Sequence, residues 1–140
     1  MNLINLIIKK YENNMIKIWD DFVNNLSING TIYHTQLFLS YHKNKFEDSS
    51  ILIYEKNKLI AVFPCCKDGI NYYSHKGSTC GGIVILEKYY KLNKLINIME
   101  KIYDYYNSNL YIKLSEDIYF TKNYSNDLLN FVLSQKCSIS

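Results

Sequence analysis

The residues best equipped for chemistry sit in one stretch, Ser74-His75-Lys76-Gly77-Ser78-Thr79-Cys80-Gly81-Gly82, which holds three of the chain's five glycines. Glycine permits positive φ and lets a ligand come close to the backbone. Around those glycines, Ser74, Ser78 and Thr79 supply hydroxyls, His75 an imidazole and Lys76 a positive charge. The stretch reads in two ways: as a loop that contacts a ligand, or as a surface turn between two strands. Cys80 shares the loop with His75, the pairing a thiolate nucleophile and its base would need. No third group that would orient the base is apparent, so nucleophilic catalysis is not expected. A zinc site drawn from Cys65, Cys66, Cys80 and His75 would need tetrahedral nitrogen and sulfur ligation. Adjacent Cys65 and Cys66 point to opposite faces of a strand, which works against that set.

Two further places carry suitable groups. His34 and Thr35 precede a short apolar helical pattern, where a threonine is a natural cap and the histidine reads as partly buried. His42 reads as a half-buried or exposed helix residue. Glu116 and Asp117 follow an apolar strand, where a carboxylate can take the proton of an attacking amine. The same pair also reads as an ordinary polar loop, and Tyr119 beside it belongs to too common a residue type to single out.

Composition bounds these options. The chain has 140 residues, 48% hydrophobic and 21% charged, which suits one domain with a packed core. Lysine supplies all 16 positive charges against 13 acids, for a formal net charge of +3. That balance is too mild and scattered to indicate DNA or a membrane surface. The absence of arginine also removes the bidentate fork that carboxylate and phosphate recognition favours. Isoleucine, asparagine, lysine and tyrosine dominate and alanine occurs once, a bias toward A/T-rich codons that gives tyrosine and asparagine as classes no functional meaning. The longest apolar run, about Leu59 to Cys66, contains Pro64 and falls far short of the roughly 20 residues needed to span a bilayer. No export signal is visible at the start. Four cysteines without a Cys-x-x-Cys pair are expected as free thiols in the cytoplasm.

The elements that must position these groups follow from periodicity. Leu3 to Ile8 reads as a strand. Tyr11 to Leu26 carries Met15, Ile18, Trp19, Phe22, Val23 and Leu26 at helical spacing, which places Trp19 on a buried stripe. Asn29-Gly30 ends that helix. A second helix is expected from Gln36 to Lys43, capped by Thr35. Ser50 to Glu55 and Lys58 to Cys66 read as a hairpin about Lys56-Asn57. Asp68-Gly69 turns the chain into a strand at Ile70 to Ser74. After the glycine-rich loop come a strand at Ile83 to Leu86, a long amphipathic helix at Tyr89 to Tyr106, a strand at Leu110 to Leu114 and a helix at Asn126 to Gln135. The step from Ile83 to Leu114 predicts a parallel pair with a right-handed crossover. The fold class is α/β, a mixed sheet with helices on both faces.

The order and several local words, "WDDFV", "NGTIYHTQLFLSYH", "FEDSSILIYEKNKLIAVFP", "SHKGSTCGG" and "IYFTKNYSNDLLNFVL", resemble the GNAT acyltransferase superfamily, and within it the amino-terminal half of Fem-type aminoacyltransferases. The resemblance runs from about Trp19 to Leu133. It implies transfer of an acyl or aminoacyl group to an amine, an acyl-CoA or aminoacyl donor and a glycan or peptide acceptor. It also implies a second GNAT-like domain or a homodimer as partner. The implied substrate groove takes in His34, Thr35, Ser74, His75, Gly77, Thr79, Gly81 and Gly82. Two departures stand out. The superfamily cradles a pyrophosphate with a Gly-rich loop at the start of the crossover helix, where amide donors and the helix dipole meet an anion. Here that place reads Leu86-Glu87-Lys88-Tyr89-Tyr90-Lys91. The fold also normally ends on two more strands, and their apparent absence leads to the expectation of a truncated domain, incomplete or inactive alone, with a binding or assembly module as the alternative.

Overall fold

In a computed structural model, residues 5–40, 47–74, 82–107, 110–112 and 138–139 are described. Strand β1 (Leu6–Lys10) is followed by helix α1 (Ile16–Asp21), helix α2 (Gln36–Leu39) and strands β2 (Glu47–Asp48), β3 (Ile51–Glu55), β4 (Lys58–Phe63), β5 (Cys66–Asp68), β6 (Asn71–Ser74) and β7 (Val84–Ile85). Helix α3 (Leu92–Tyr105) and strands β8 (Leu110–Ile112) and β9 (Ser138–Ile139) follow among the described residues. The result is a mixed α/β domain with a four-stranded sheet, β1-β3-β4-β7, and a five-stranded one, β2-β5-β6-β8-β9.

The two sheets share bent strands. Residues 47–55 and 58–68 form one long hairpin that leaves the first sheet at Ser50 and Pro64-Cys65 and continues into the second. Proline cannot donate to a ladder, and the bend falls beside Pro64. Side chains mend it: Cys65 N donates to Ser50 Oγ at 3.0 Å and Ser50 Oγ donates to Asp48 Oδ1 at 2.7 Å. Ser49 N donates to Cys65 O at 2.8 Å, which carries the ladder across.

Helices cover both faces of the first sheet. α3 repeats buried Leu95, Ile98, Met99 and Ile102 on one stripe, the spacing of a helix with one face toward a core. These pack on Ile51, Ile53, Ile60, Phe63 and Ile85. Each such side chain stabilises the fold by about 1.5–3 kcal/mol when fully buried. α1 covers the other face, where Trp19, Phe22 and Val23 meet Leu52, Val62 and Val84. The helix ends in a wide turn at Phe22–Leu26, in which Ser27 N donates to Phe22 O at 2.9 Å, five residues back. Among the described residues no helix is long and apolar enough to cross a membrane.

Several expectations need correction. The predicted parallel pair between Ile83–Leu86 and Leu110–Leu114 does not form. β8 instead runs parallel to β6, with Tyr73 opposite Tyr111, while β7 is antiparallel to β4. The crossover through α3 therefore joins one sheet to the other. The strand expected over Lys58 to Cys66 is split at Pro64-Cys65 into β4 and β5. The first helix begins later than Tyr11, with a short turn at Asn13–Met15, and α3 is preceded by a similar turn at Glu87–Tyr89. α2 is four residues long, and Tyr41 to Lys43 lie outside the described residues. A closing element that the sequence reading omitted is present: β9 lies parallel to β8, with Tyr111 opposite Ser138. The expected helix from Asn126 to Gln135 lies outside the described residues.

Candidate functional site

His34 and Thr35 form a tight backbone-holding knot. Thr31 and Thr35 are extended residues that cap consecutive short helical turns. His34 is fully buried, and its Nδ1 accepts from Thr31 N at 3.0 Å and lies 3.0 Å from Thr31 Oγ1. The His34 carbonyl accepts from Trp19 Nε1 at 2.7 Å. Thr35 Oγ1 accepts from Phe38 N at 3.2 Å and donates to Ile32 O at 2.7 Å, while Gln36 N donates to Asp20 Oδ1 at 2.6 Å. The expected cap at Thr35 is present. His34 was expected to be partly buried and is instead sealed in, holding the 31–36 segment onto α1.

Ser74 and Gly82, the ends of the glycine-rich stretch, are brought together. Both are buried, and Gly82 N donates to Ser74 Oγ. Gly82 has φ +82°, the conformation for which glycine was singled out. Ser74 thus acts as a clasp at the base of the stretch. His75, Gly77, Thr79 and Gly81 lie outside the described residues, as do His42, Cys80, Glu116, Asp117 and Tyr119.

Asn29 is a structural residue that sequence reasoning missed. It was read only as a turn signal. Its side chain is buried against the outer edge of β7, where Nδ2 donates to Ile83 O at 2.9 Å and Oδ1 accepts from Ile85 N at 3.1 Å. Ile28 N donates to Ile85 O at 2.9 Å. A carboxamide offers one donor and one acceptor at the spacing of a backbone amide pair, so Ile28 and Asn29 together mimic a neighbouring strand. Gly30 makes this approach possible. A Cβ there would lie 2.5 Å from both Val23 O and Ser27 Oγ.

The junction between β7 and α3 is where the superfamily cradle would fall. Three of its amides are engaged within the fold: Leu86 N donates to Ile60 O at 3.1 Å, Tyr89 N to Leu86 O and Tyr90 N to Glu87 O, each at 3.0 Å. Tyr89 donates through its hydroxyl to Glu55, and burial with that carboxylate pushes its phenol up to about 12. Lys88 and Lys94 lie 6.0 and 4.7 Å from the centre of the Tyr89 ring, cation–π geometry.

Where the two sheets meet, Cys65 and Tyr106 are buried side by side. Tyr106 donates through its hydroxyl to Ser49 O. Burial, and next to it the neighbouring Cys65 thiol, pushes the Tyr106 phenol well above its ordinary value. Burial likewise raises the Cys65 thiol, which makes it a packing group rather than a nucleophile. Among the described residues no group of histidine, cysteine or acidic side chains is arranged to hold a metal ion. No protein-family model matches the chain, and no curated protein sequence matches it.

Proposed function

We propose that the chain is a GNAT-like domain that serves as a binding or assembly module, not as an acyltransferase acting alone. The resemblance rests on the sequence words and on a mixed α/β fold in which antiparallel strands are followed by a helix and a further strand, although β7 and β8 do not form the parallel pair expected of the crossover. The observation that carries the module reading is the engagement of the amides around β7. Transfer of an acyl group to an amine needs backbone N–H groups aimed at the developing oxyanion and at the donor's phosphates. Here Gly82 N is held by Ser74, Ile85 N by Asn29 and Leu86 N by Ile60. His34 and Thr35, which the resemblance would set along the groove, spend the polar atoms described above on their own backbone.

A second reading, acyl transfer from a coenzyme A-type donor, draws on Lys88, Lys91 and Lys94, which gather positive charge at the start of α3. Titration with acetyl-CoA separates the two. The module reading expects no binding heat and no change in melting temperature at millimolar donor. A ligand at 100 times its Kd would stabilise the fold by about 2.7 kcal/mol, so a saturable rise in melting temperature overturns the module reading. Partners that suit the module are a glycan or peptide acceptor, or a second GNAT-like domain.

A further inference from the structure

Asn29-Gly30 is the only Asn-Gly pair in the chain. Asparagine before glycine loses its side-chain amide readily, because a residue without a Cβ lets its own backbone nitrogen reach the preceding carboxamide carbon. The fold restrains both reacting groups. The carboxamide is anchored across to β7, with Nδ2 donating to Ile83 O at 2.9 Å and Oδ1 accepting from Ile85 N at 3.1 Å. The attacking nitrogen is tied down as well. Gly30 N donates to Ser27 Oγ at 2.9 Å, and that hydroxyl is itself fixed by donating to Val23 O at 3.0 Å. Asn29 is 1% exposed, which also keeps away the water that would complete the reaction. A larger residue cannot replace Gly30 freely, since a Cβ would lie 2.5 Å from Val23 O. The close approach that docks Asn29 on β7 thus fixes beside it the neighbour that makes it labile.

We propose that Asn29 is a self-modification site gated by the edge of β7. When residues 28–30 lift from β7, Gly30 N gives up its proton to solvent and bonds to Asn29 Cγ. The Cγ–Nδ2 bond breaks, and the nitrogen leaves as ammonia with a proton from water. The cyclic imide then takes up one water. Cleavage at Cγ returns an ordinary main chain with aspartate, and cleavage at the main-chain carbonyl gives isoaspartate. The net change is amide plus water to acid plus ammonia, with no oxidant or reductant. Neither product can dock as before. A carboxylate has no donor for Ile83 O and is costly to bury. Isoaspartate also lengthens the main chain between Ile28 and Gly30, which spoils the bond from Ile28 N to Ile85 O. Local openings are the low-energy excursions of a folded chain, so the converted fraction records how long this edge has stood open.

Incubation at mildly alkaline pH, followed by peptide mapping with mass spectrometry, tests this independently of any result with acyl donors. Exposed Asn24 and Asn25, each followed by a residue bulkier than glycine, serve as internal references. In guanidinium chloride Asn29 converts well ahead of both. In the folded chain its conversion slows by at least about tenfold. Ser27→Ala frees Gly30 N and speeds conversion of the folded chain by about threefold, with the rate in denaturant unchanged. The converted chain, separated by ion exchange through its added negative charge, melts below the unconverted one. Equal rates in the folded and unfolded chains overturn the proposal. So does folded-state conversion that merely matches the globally unfolded fraction, an unchanged rate in folded Ser27→Ala, or a converted chain that melts with the unconverted one. Where Ser27→Ala fails to fold, the wild-type rates and the melting of the converted chain still decide.

Discussion

Asn29 and Gln36 are both buried amides, with opposite consequences. Asn29 has donor and acceptor engaged by β7. Gln36 is buried with its Nε2 lacking a hydrogen-bond partner among the described residues. Breaking a satisfied pair leaves buried backbone groups unpaired, whereas removing an orphan donor relieves a standing cost. Asn29→Ala should therefore destabilise the chain by about 3 kcal/mol, and Gln36→Met should stabilise it by about 0.5–1.5 kcal/mol, both read from urea unfolding. Gly30→Ala should also destabilise, by about 1–3 kcal/mol, because the new methyl meets a backbone oxygen that cannot swing aside. None of these signs was legible in the sequence. An Asn-Gly pair announces a turn, but whether its side chain closes a sheet 54 residues away depends on which strand arrives there.

At the scale of elements, the turn between β3 and β4 carries a residue in an unfavourable conformation. Lys56 has φ +56°, a region that costs a side-chain-bearing residue more than glycine. Lys56→Gly should stabilise the chain by about 0.5–1 kcal/mol, read as a higher urea midpoint with an unchanged denaturant slope. This hairpin, α3 and the burial of Trp19, Phe22 and Val23 were legible, because periodicity reports which face of an element is apolar, whereas Ile18 and Leu26 of the same predicted stripe are exposed. Thr35 as a cap was legible too, since a cap is a local rule. What periodicity does not report is pairing. The apolar run over β7 says that a strand forms there, not whether β4 or β8 lies beside it. The bend at Pro64-Cys65 decided the matter by sending the long hairpin into a second sheet, where β8 found β6. The candidate site was legible only in part for a related reason. Residue types at 34–35 and 74–82 suggested ligand contact, while the hydrogen bonds of His34, Thr35 and Ser74 serve the backbone around them.

At the scale of the whole molecule, the core holds hydroxyls and a thiol that must stay neutral. Burial, with Asp20 and Asp48 adding to it, pushes the Tyr11 phenol up to about 12; Tyr89 reaches a similar value and Tyr106 lies well above its ordinary one. In the unfolded chain these phenols ionise near 10. A folded-state pKa raised above the unfolded one gives stability that is complete below the unfolded value and lost as pH rises toward the folded one. Melting temperature should therefore hold up to about pH 8, where unfolded cysteine begins to ionise, decline gradually above it, and fall steeply between about pH 10 and 12. Tyrosinate absorbance should rise in step with unfolding; full ionisation before any loss of structure would count against these burials. One more property follows from the seat of the chain's single tryptophan. Trp19 is fully enclosed, with its indole N–H held by the His34 carbonyl and its ring edge-on to Tyr11 at 5.3 Å. Its fluorescence is thus a built-in gauge of one contact, the seating of the first helix on its sheet. A red shift of its emission that precedes the loss of circular dichroism would time the departure of that helix ahead of global melting.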